Sequence, residues 1–514
     1  MHGRTELETV VETLRDARIA LRSAWYDTAL QLMHGCEDWS EPYAERGVLL
    51  KAETLGRRDP VEALAYLASV DDLFTSVEGR FGRDLECGRF HAAVRDMESA
   101  ASHYASARPL AERVPNGLAT IAYHDVRMRW FRRDCNPHAP EVAVAMTHPD
   151  RSIVAATYAH RGWLHAGRGD YRAQIADFRT TLACEPAGGE PIDVATLAFT
   201  IHALARIAFE TADADGIQAA QIASETLAWT PDVDVSRFET LRALGWDAFM
   251  RGESGRAQWT FKDARTIAPS AAWRVMAHCD RAYVARIAGN DVWAIEELTE
   301  ADRLARDVRW ESTFGEERQT LVVLALLHAQ LDAARAQHYA SAYSRLGVEN
   351  VNPAFAIASD RRAVAAARYA QGVIDHTLGR TAAAIAALTE AYGIYDGANH
   401  HFRATLCAAA LAEVTGEARW LRLSVEHAAR YPDCPLARIT VDRSNRDDGM
   451  PPQLSALQRQ IARALWNGAS PAELSRRFSR SVYTIERQVA EVYLAFGVAT
   501  RAELLRAARS RALT

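Results

Sequence analysis

Two stretches decide the fold. Residues 158–186 run YAHRGWLHAGRGDYRAQIADFRTTLACEP and residues 241–269 run LRALGWDAFMRGESGRAQWTFKDARTIAP. In the first, Gly162 precedes Gly169 by seven residues and Pro186 by twenty-four, and in the second Gly245, Gly252 and Pro269 keep the same intervals. A third copy places Ala282, Gly289, Ala294 and Ala301 at offsets zero, seven, twelve and nineteen, and a fourth places Gly372, Gly379, Ala384 and Ala391 there. The first copy has Gln174 and Thr181 at the last two of these offsets. An apolar residue stands at offset sixteen in all four: Phe178, Phe261, Leu298 and Leu388. Small residues recurring at fixed spacing are the mark of a repeat architecture.

These offsets resemble the tetratricopeptide repeat, a pair of antiparallel helices. The resemblance implies that the small residues sit where the two helices touch, so that a larger side chain there would push the axes apart. The proline ends the second helix and helps turn the chain into the next pair. Weaker copies stand at Tyr26-Ala29, at Met97-Ala100-Tyr104-Ala107, near Ala203 and near Ala329. The clear copies begin at 162, 245, 282 and 372, which suggests one unit per roughly forty residues and about ten helical pairs over residues 5–430. An all-α solenoid of this kind has a concave groove, where the resemblance places a protein, a peptide or a small effector. An irregular α-helical bundle is the other reading of this region.

Composition agrees with a folded protein. Of 514 residues, 49% are hydrophobic and 25% charged, which is ordinary for a globular chain. No apolar run approaches the roughly eighteen residues that span a bilayer, and the start, MHGRTELETVVETLRD, has no apolar signal region. The seven cysteines form no CxxC pair and read as reduced thiols, mostly buried, of a cytoplasmic protein. Cys135-Asn136-Pro137-His138 is half a metal site with nothing to complete it. The pair His400-His401 falls in an expected turn, where side chains are usually solvated.

The tail differs from the body. Residues 431–453 hold four prolines and no helical period and read as a linker, with Leu436–Val441 a weak strand candidate. From 454 the chain runs LSALQRQIARALWNGASPAELSRRFSRSVYTIERQVAEVYLAFGVATRAELLRAA. Asn467-Gly468 and Ser479-Arg480 divide three short amphipathic helices, and a fourth follows Gly497-Val498. Ile485, Val489, Val492 and Phe496 form one buried stripe on the third helix. Its other face presents Tyr483, Glu486, Arg487, Ala490, Glu491 and Leu494. A short helix, a tight turn and a second helix with a polar outer face suit a major groove.

Residues 454–514 resemble the LuxR/FixJ-type helix-turn-helix domain, a four-helix unit. The match rests on Leu454-Ser455, Arg459, Ile461, Leu465, Gly468, Ser470, Glu473-Leu474, Phe478 in place of a leucine, Ser481, Thr484-Ile485, Val492, Gly497-Val498, Arg501 and Glu503. The family's lysine after its threonine-valine pair is Glu486 here, its histidine is Gln488, and its lysine before the final leucine is Ala495. The resemblance implies double-stranded DNA as partner. Tyr483, Glu486, Arg487 and Ala490 would then lie nearest the bases, with Gln488 at the family's histidine position. Ser470, Arg480, Ser481 and Thr484 would lie near phosphates or cap helices. The family's fourth helix, here Thr500–Arg511, contributes to dimerisation; Leu504 and Leu505 suit either a homodimer contact or the domain's own core.

Charge fits a nucleic-acid contact confined to the tail. Residues 451–514 carry ten Arg and four Glu on a chain of net −6, which leaves −12 on the first 450 residues. The chain has two lysines, Lys51 and Lys262, and neither follows a glycine, so it has no phosphate-binding GxxxxGK[ST] loop. It resembles the C-terminal part of large ATP-dependent LuxR regulators, without their ATPase domain. No HExxH, GxSxG or GxGxxG stands in a sensible context, and no catalytic, cofactor or metal constellation emerges. Two functions remain: a transcriptional regulator with a sensing body, or an interaction scaffold whose tail keeps its packing and no longer binds DNA.

Overall fold

The computed structural model describes residues 6–504 except 133, 187–189, 314, 330, 347–361, 432, 437–453, 467–468, 479 and 502. Helices follow one another in pairs. The first pairs are α1 (Glu6–Arg22) with α2 (Tyr26–Leu32), α3 (Tyr43–Gly56) with α4 (Pro60–Ser69), α5 (Val77–Ala93) with α6 (Met97–Ala107), and α7 (Gly117–Phe131) with the short α8 (Pro140–Ala145). Then come α9 (Arg151–Gly167) with α10 (Tyr171–Leu182), α11 (Val194–Glu210) with α12 (Ala214–Thr226), α13 (Asp234–Met250) with α14 (Ser254–Ile267), and α15 (Ala271–Ile287) with α16 (Asp291–Ala305). The last are α17 (Gly315–His328) with α18 (Ala333–Leu346), α19 (Arg362–Thr377) with α20 (Thr381–Gly397), and α21 (His401–Thr415) with α22 (Ala418–Ala428). Each pair packs on the next, so the body is a helical-repeat solenoid.

The small residues do what their spacing predicts. A methyl group on Gly162 would stand 2.8 Å from the Phe178 ring, and one on Gly245 2.8 Å from Phe261. On Gly372 it would stand 2.6 Å from Leu388. The residue at offset zero is therefore absent as a side chain so that the residue at sixteen can lie against its helix. Gly88 and Tyr104 repeat this contact at 2.7 Å, which makes α5–α6 a full copy.

The turn between partners is equally regular. Gly169, Gly252, Gly289 and Gly379, all at offset seven, have φ between 77° and 79°. The following residue then bonds back five positions, as Asp170 N–H does to the His165 carbonyl at 3.0 Å, and closes a Schellman turn. Asp170 and Asn290 next cap the second helix with their side chains. Three further copies make the same bond without glycine: Ala24 (φ 56°), Arg95 (φ 69°) and Ala212 (φ 56°). A left-handed backbone costs an L-residue about 1–2 kcal/mol. Arg95 is exposed, and partial desolvation of its guanidinium, with the like charge of Arg318, lowers its pKa from the usual value. Arg95→Gly is therefore expected to raise stability by about 1 kcal/mol in urea titrations, whereas Arg95→Ala, which keeps the strained φ, is expected to gain little.

The solenoid closes on itself in its second half. Phe402 of α21 packs on Phe209 of α11 and Trp246 of α13, with ring centroids 5.1 and 5.3 Å apart, and Trp246 meets Tyr283 of α15 at 5.6 Å. Beyond α22, the Tyr431 hydroxyl donates to the Phe209 carbonyl at 2.6 Å. These aromatic rings narrow the inner face of the second half to a hollow of about 90 Å³ beside Glu239, Arg242 and Arg403, and a wider cavity lies along the first half. The turn pair is also unlike its expectation. His400 is 0% exposed, enclosed by Tyr171, Tyr395 and the Glu210 carboxylate 3.3 Å away. It is part of the closure, because the turn at 399–400 lands on α11 and not in solvent. His401 bonds His427 at 3.1 Å, and burial together with that neighbour pushes its imidazole down to about 4.

The tail builds a separate core from α23 (Ala456–Trp466), α24 (Pro471–Arg477) and α25 (Val482–Phe496). Most of the linker, the Leu436–Val441 strand candidate after Leu436 and the fourth helix beyond Leu504 lie outside the described residues. Leu504 itself is 0% exposed and belongs to the core. Among the described residues no helix is long and apolar enough to cross a membrane, and no group of His, Cys, Asp or Glu is arranged to hold a metal. Five of the seven cysteines, Cys36, Cys87, Cys279, Cys407 and Cys434, are buried.

Candidate nucleic-acid interface

The predicted apolar stripe anchors α25. Ile485, Val489, Val492 and Phe496 are buried against Ile461, Leu465 and Leu474 of the two preceding helices. Both short helices are firmly started. Ser470 and Glu473 form a reciprocal capping box on α24, and the bonds to Ser470 hold the Glu473 carboxyl below its usual range. Ser481 caps α25 by accepting from the Thr484 N–H at 3.1 Å. Gly497, at φ 69°, ends it in a left-handed cap. Ser475 Oγ donates to the Arg480 carbonyl at 2.6 Å, which ties the intervening turn. Arg501 donates to the Leu465 carbonyl at 3.2 Å and locks the end of α23.

The opposite face of α25 is open. Tyr483 is 78% exposed, the Arg487 side chain 70% and Leu494 81%, and Glu486 and Ala490 are exposed beside them. Spacing of three and four puts these residues on one side of the helix. Arg480 and Ser481 are exposed at its start, while Ser470 and Thr484 are half-buried in their caps. Gln488 points elsewhere. It is half-buried, and its amide donates to Glu491 Oε2 at 3.2 Å, the oxygen that also accepts from Gln458 of α23 at 2.5 Å. Gln488 thus helps join two helices. The role was hidden because its partners are set by packing, although its place next to Val489 in the stripe is a signal.

A second feature lies in the body. The inner faces of α1, α3, α5, α7 and α9 enclose a cavity of about 530 Å³ whose floor carries Glu53, Arg57, Glu86, Arg89, His124 and Arg127. Burial pushes the Glu86 carboxyl up, and the charge of Glu53 adds to this. Burial also tends to raise Glu53, but Arg89 and Arg57 hold it below the usual carboxylate range. Burial, with Arg127 and Arg89 nearby, pushes His124 well below an ordinary imidazole, so it stands neutral. Sequence spacing does not single out these residues, since three successive helical pairs supply them.

No protein-family model matches the chain, and no curated protein matches it. Among solved structures it is similar to one described as the crystal structure of the APC/C hetero-tetramer Cut9-Hcn1, at 13% identity, over 98% of this chain and 96% of that one, with a TM-score of 0.26. At that score the likeness adds nothing to what the packing already establishes: an all-helical repeat body followed by a compact trihelical unit.

Proposed function

We propose that the chain is a DNA-binding transcriptional regulator that acts by binding and not by catalysis. Its tail would contact duplex DNA in the cytoplasm, and its repeat body would receive the controlling signal. The observation that carries this reading is the face of α25, which presents Tyr483, Arg487 and Ala490 to solvent while the reverse face is packed. The arginine excess of residues 451–514 supports it, because phosphate neutralisation supplies most non-specific affinity. Resemblance to the LuxR/FixJ-type domain adds the docking mode.

The test is anisotropy of a labelled duplex with the full chain across a salt series. Log affinity is expected to fall linearly with log salt. Glu486→Lys restores a cation at an exposed position on the same face, and is expected to strengthen binding about tenfold at low salt and to steepen the slope by about 1. A specific observation favours a second reading, the interaction scaffold. Leu494 is an exposed leucine on the same face as an acid, Glu486, and an apolar-acidic face suits a protein better than a phosphate backbone. Absence of any salt-dependent DNA affinity, in wild type and Glu486→Lys alike, selects the scaffold.

A further inference from the structure

The charged cavity does not end at its arginines. A second hollow of about 180 Å³, walled by Trp130, Phe131, Trp163 and Phe199, shares Arg127 and Thr196 with it. The rings are consecutive: Trp130 and Trp163 have centroids 5.3 Å apart, and Trp163 and Phe199 5.6 Å. The two hollows adjoin at Arg127 and Thr196, one lined by guanidinium groups and the other by aromatic rings, and each is within the reach of a small molecule.

The buried polar groups of the charged cavity are not all paired. Glu53 is engaged by Arg57 at 3.3 Å and by Arg89 at 3.2 Å, and Asp193 by Arg57 at 3.1 Å. Glu86 lies 2.5 Å from Arg89 Nη2. The donors are in surplus. Arg57 Nε, Arg89 Nε and Arg89 Nη2, the last within ion-pair distance of Glu86 but not hydrogen-bonded to it, are buried without a hydrogen-bond acceptor, against one acceptor, Glu86 Oε2, without a donor. Arg127 makes no hydrogen bond or ion pair among the described residues, and its guanidinium rests 5.9 Å from the Tyr123 ring centroid. Buried donors of this kind are normally satisfied, and an oxyanion is the acceptor that a guanidinium fork fits. The neutral His124 and the raised Glu86 oppose an incoming negative charge little.

We propose that this site binds a small amphipathic anion, its carboxylate or phosphate head on Arg127 with Arg57 and Arg89 behind, and its aromatic or aliphatic body against Trp130, Trp163 and Phe199. The proposal rests on the sensing half of the reading above and names its effector class.

The test is calorimetric titration of the full chain, without DNA, using 4-phenylbutyrate, 2-phenylethyl phosphate and the neutral 4-phenylbutyramide. At least one anion is expected to bind and to raise Tm, with the amide at least tenfold weaker; the stronger anion identifies the preferred head. Arg127→Met is expected to weaken the anions about tenfold, a loss of about 1.4 kcal/mol, and the amide by much less. Phe199→Ala is expected to weaken all three ligands. Equal binding of acid and amide, or no binding by either anion, overturns the proposal. Because no DNA is present, that failure leaves the DNA reading untouched, and loss of DNA binding with the anion still bound would remove the regulator and keep the site.

Discussion

Tyr431→Ala is expected to lower stability by about 3–5 kcal/mol, the usual range for deleting a large buried aromatic side chain. Tyr431 is 2% exposed, its ring lies 6.2 Å from that of Phe209, and its hydroxyl reaches the Phe209 carbonyl at 2.6 Å. It follows the last helical pair and, with Phe402 and His400, fastens the end of the solenoid to α11. Tyr431→Phe keeps the packing and removes one hydrogen bond, so its expected loss is smaller, about 1 kcal/mol. Repeat arrays need not unfold in a single step. The measurement is therefore a urea titration followed by both tryptophan fluorescence and circular dichroism. In Tyr431→Ala the fluorescence change, which includes Trp246 and Trp420 of the closed half, is expected to move to lower urea ahead of the change in helicity. Coincident curves for wild type and both variants would mean that closure contributes nothing to stability.

The closure also marks where sequence reading stops. Four repeats were legible because glycine and alanine at their helix contacts leave a periodic trace, and Gly162, Gly245 and Gly372 meet the very residues that the spacing selects. The copies around Ala24, Arg95 and Ala212 use the same left-handed turn, but no glycine announces it, and alanine or arginine there reads as ordinary helix. Tyr431 and Phe209 are 222 residues apart, and nothing periodic connects them. The same holds for His400, whose turn looked solvated because only the tertiary fold brings Glu210 and Tyr171 to it. In the tail, the buried stripe of α25 was legible from spacing alone. The role of Gln488 was not, since it depends on a carboxylate shared with Gln458 on another helix. The floor of the concave cavity was hidden for a related reason. Arg57 follows α3, Arg89 sits on α5 and Arg127 on α7, each at a position that in isolation resembles any solvated arginine of an arginine-rich chain.

Arg487→Ala is expected to cost about 1–3 kcal/mol of discrimination between the preferred duplex and unrelated DNA, the worth of one good base contact. Arg487 lies in the second turn of α25, between Tyr483 and Ala490 on the exposed face. Its ion pair with Glu491, at 3.5 Å, is exposed and worth little, so it does not hold the guanidinium back from a guanine edge. Arg480 precedes the helix and is exposed at its N-terminal end, where the proposed docking would bring it to backbone phosphates. Arg480→Ala is therefore expected to weaken all sequences alike and to reduce the salt slope by about 1. Selection from a random duplex pool with wild type supplies the preferred site, and anisotropy on that site and on scrambled DNA then separates the two arginines. The contrast between them is the discriminating result. A helix that only neutralises charge would lose the same affinity for both duplexes when either arginine is removed, and α25 would then not be a reading helix. A helix inserted in the groove loses preference at Arg487 and general affinity at Arg480.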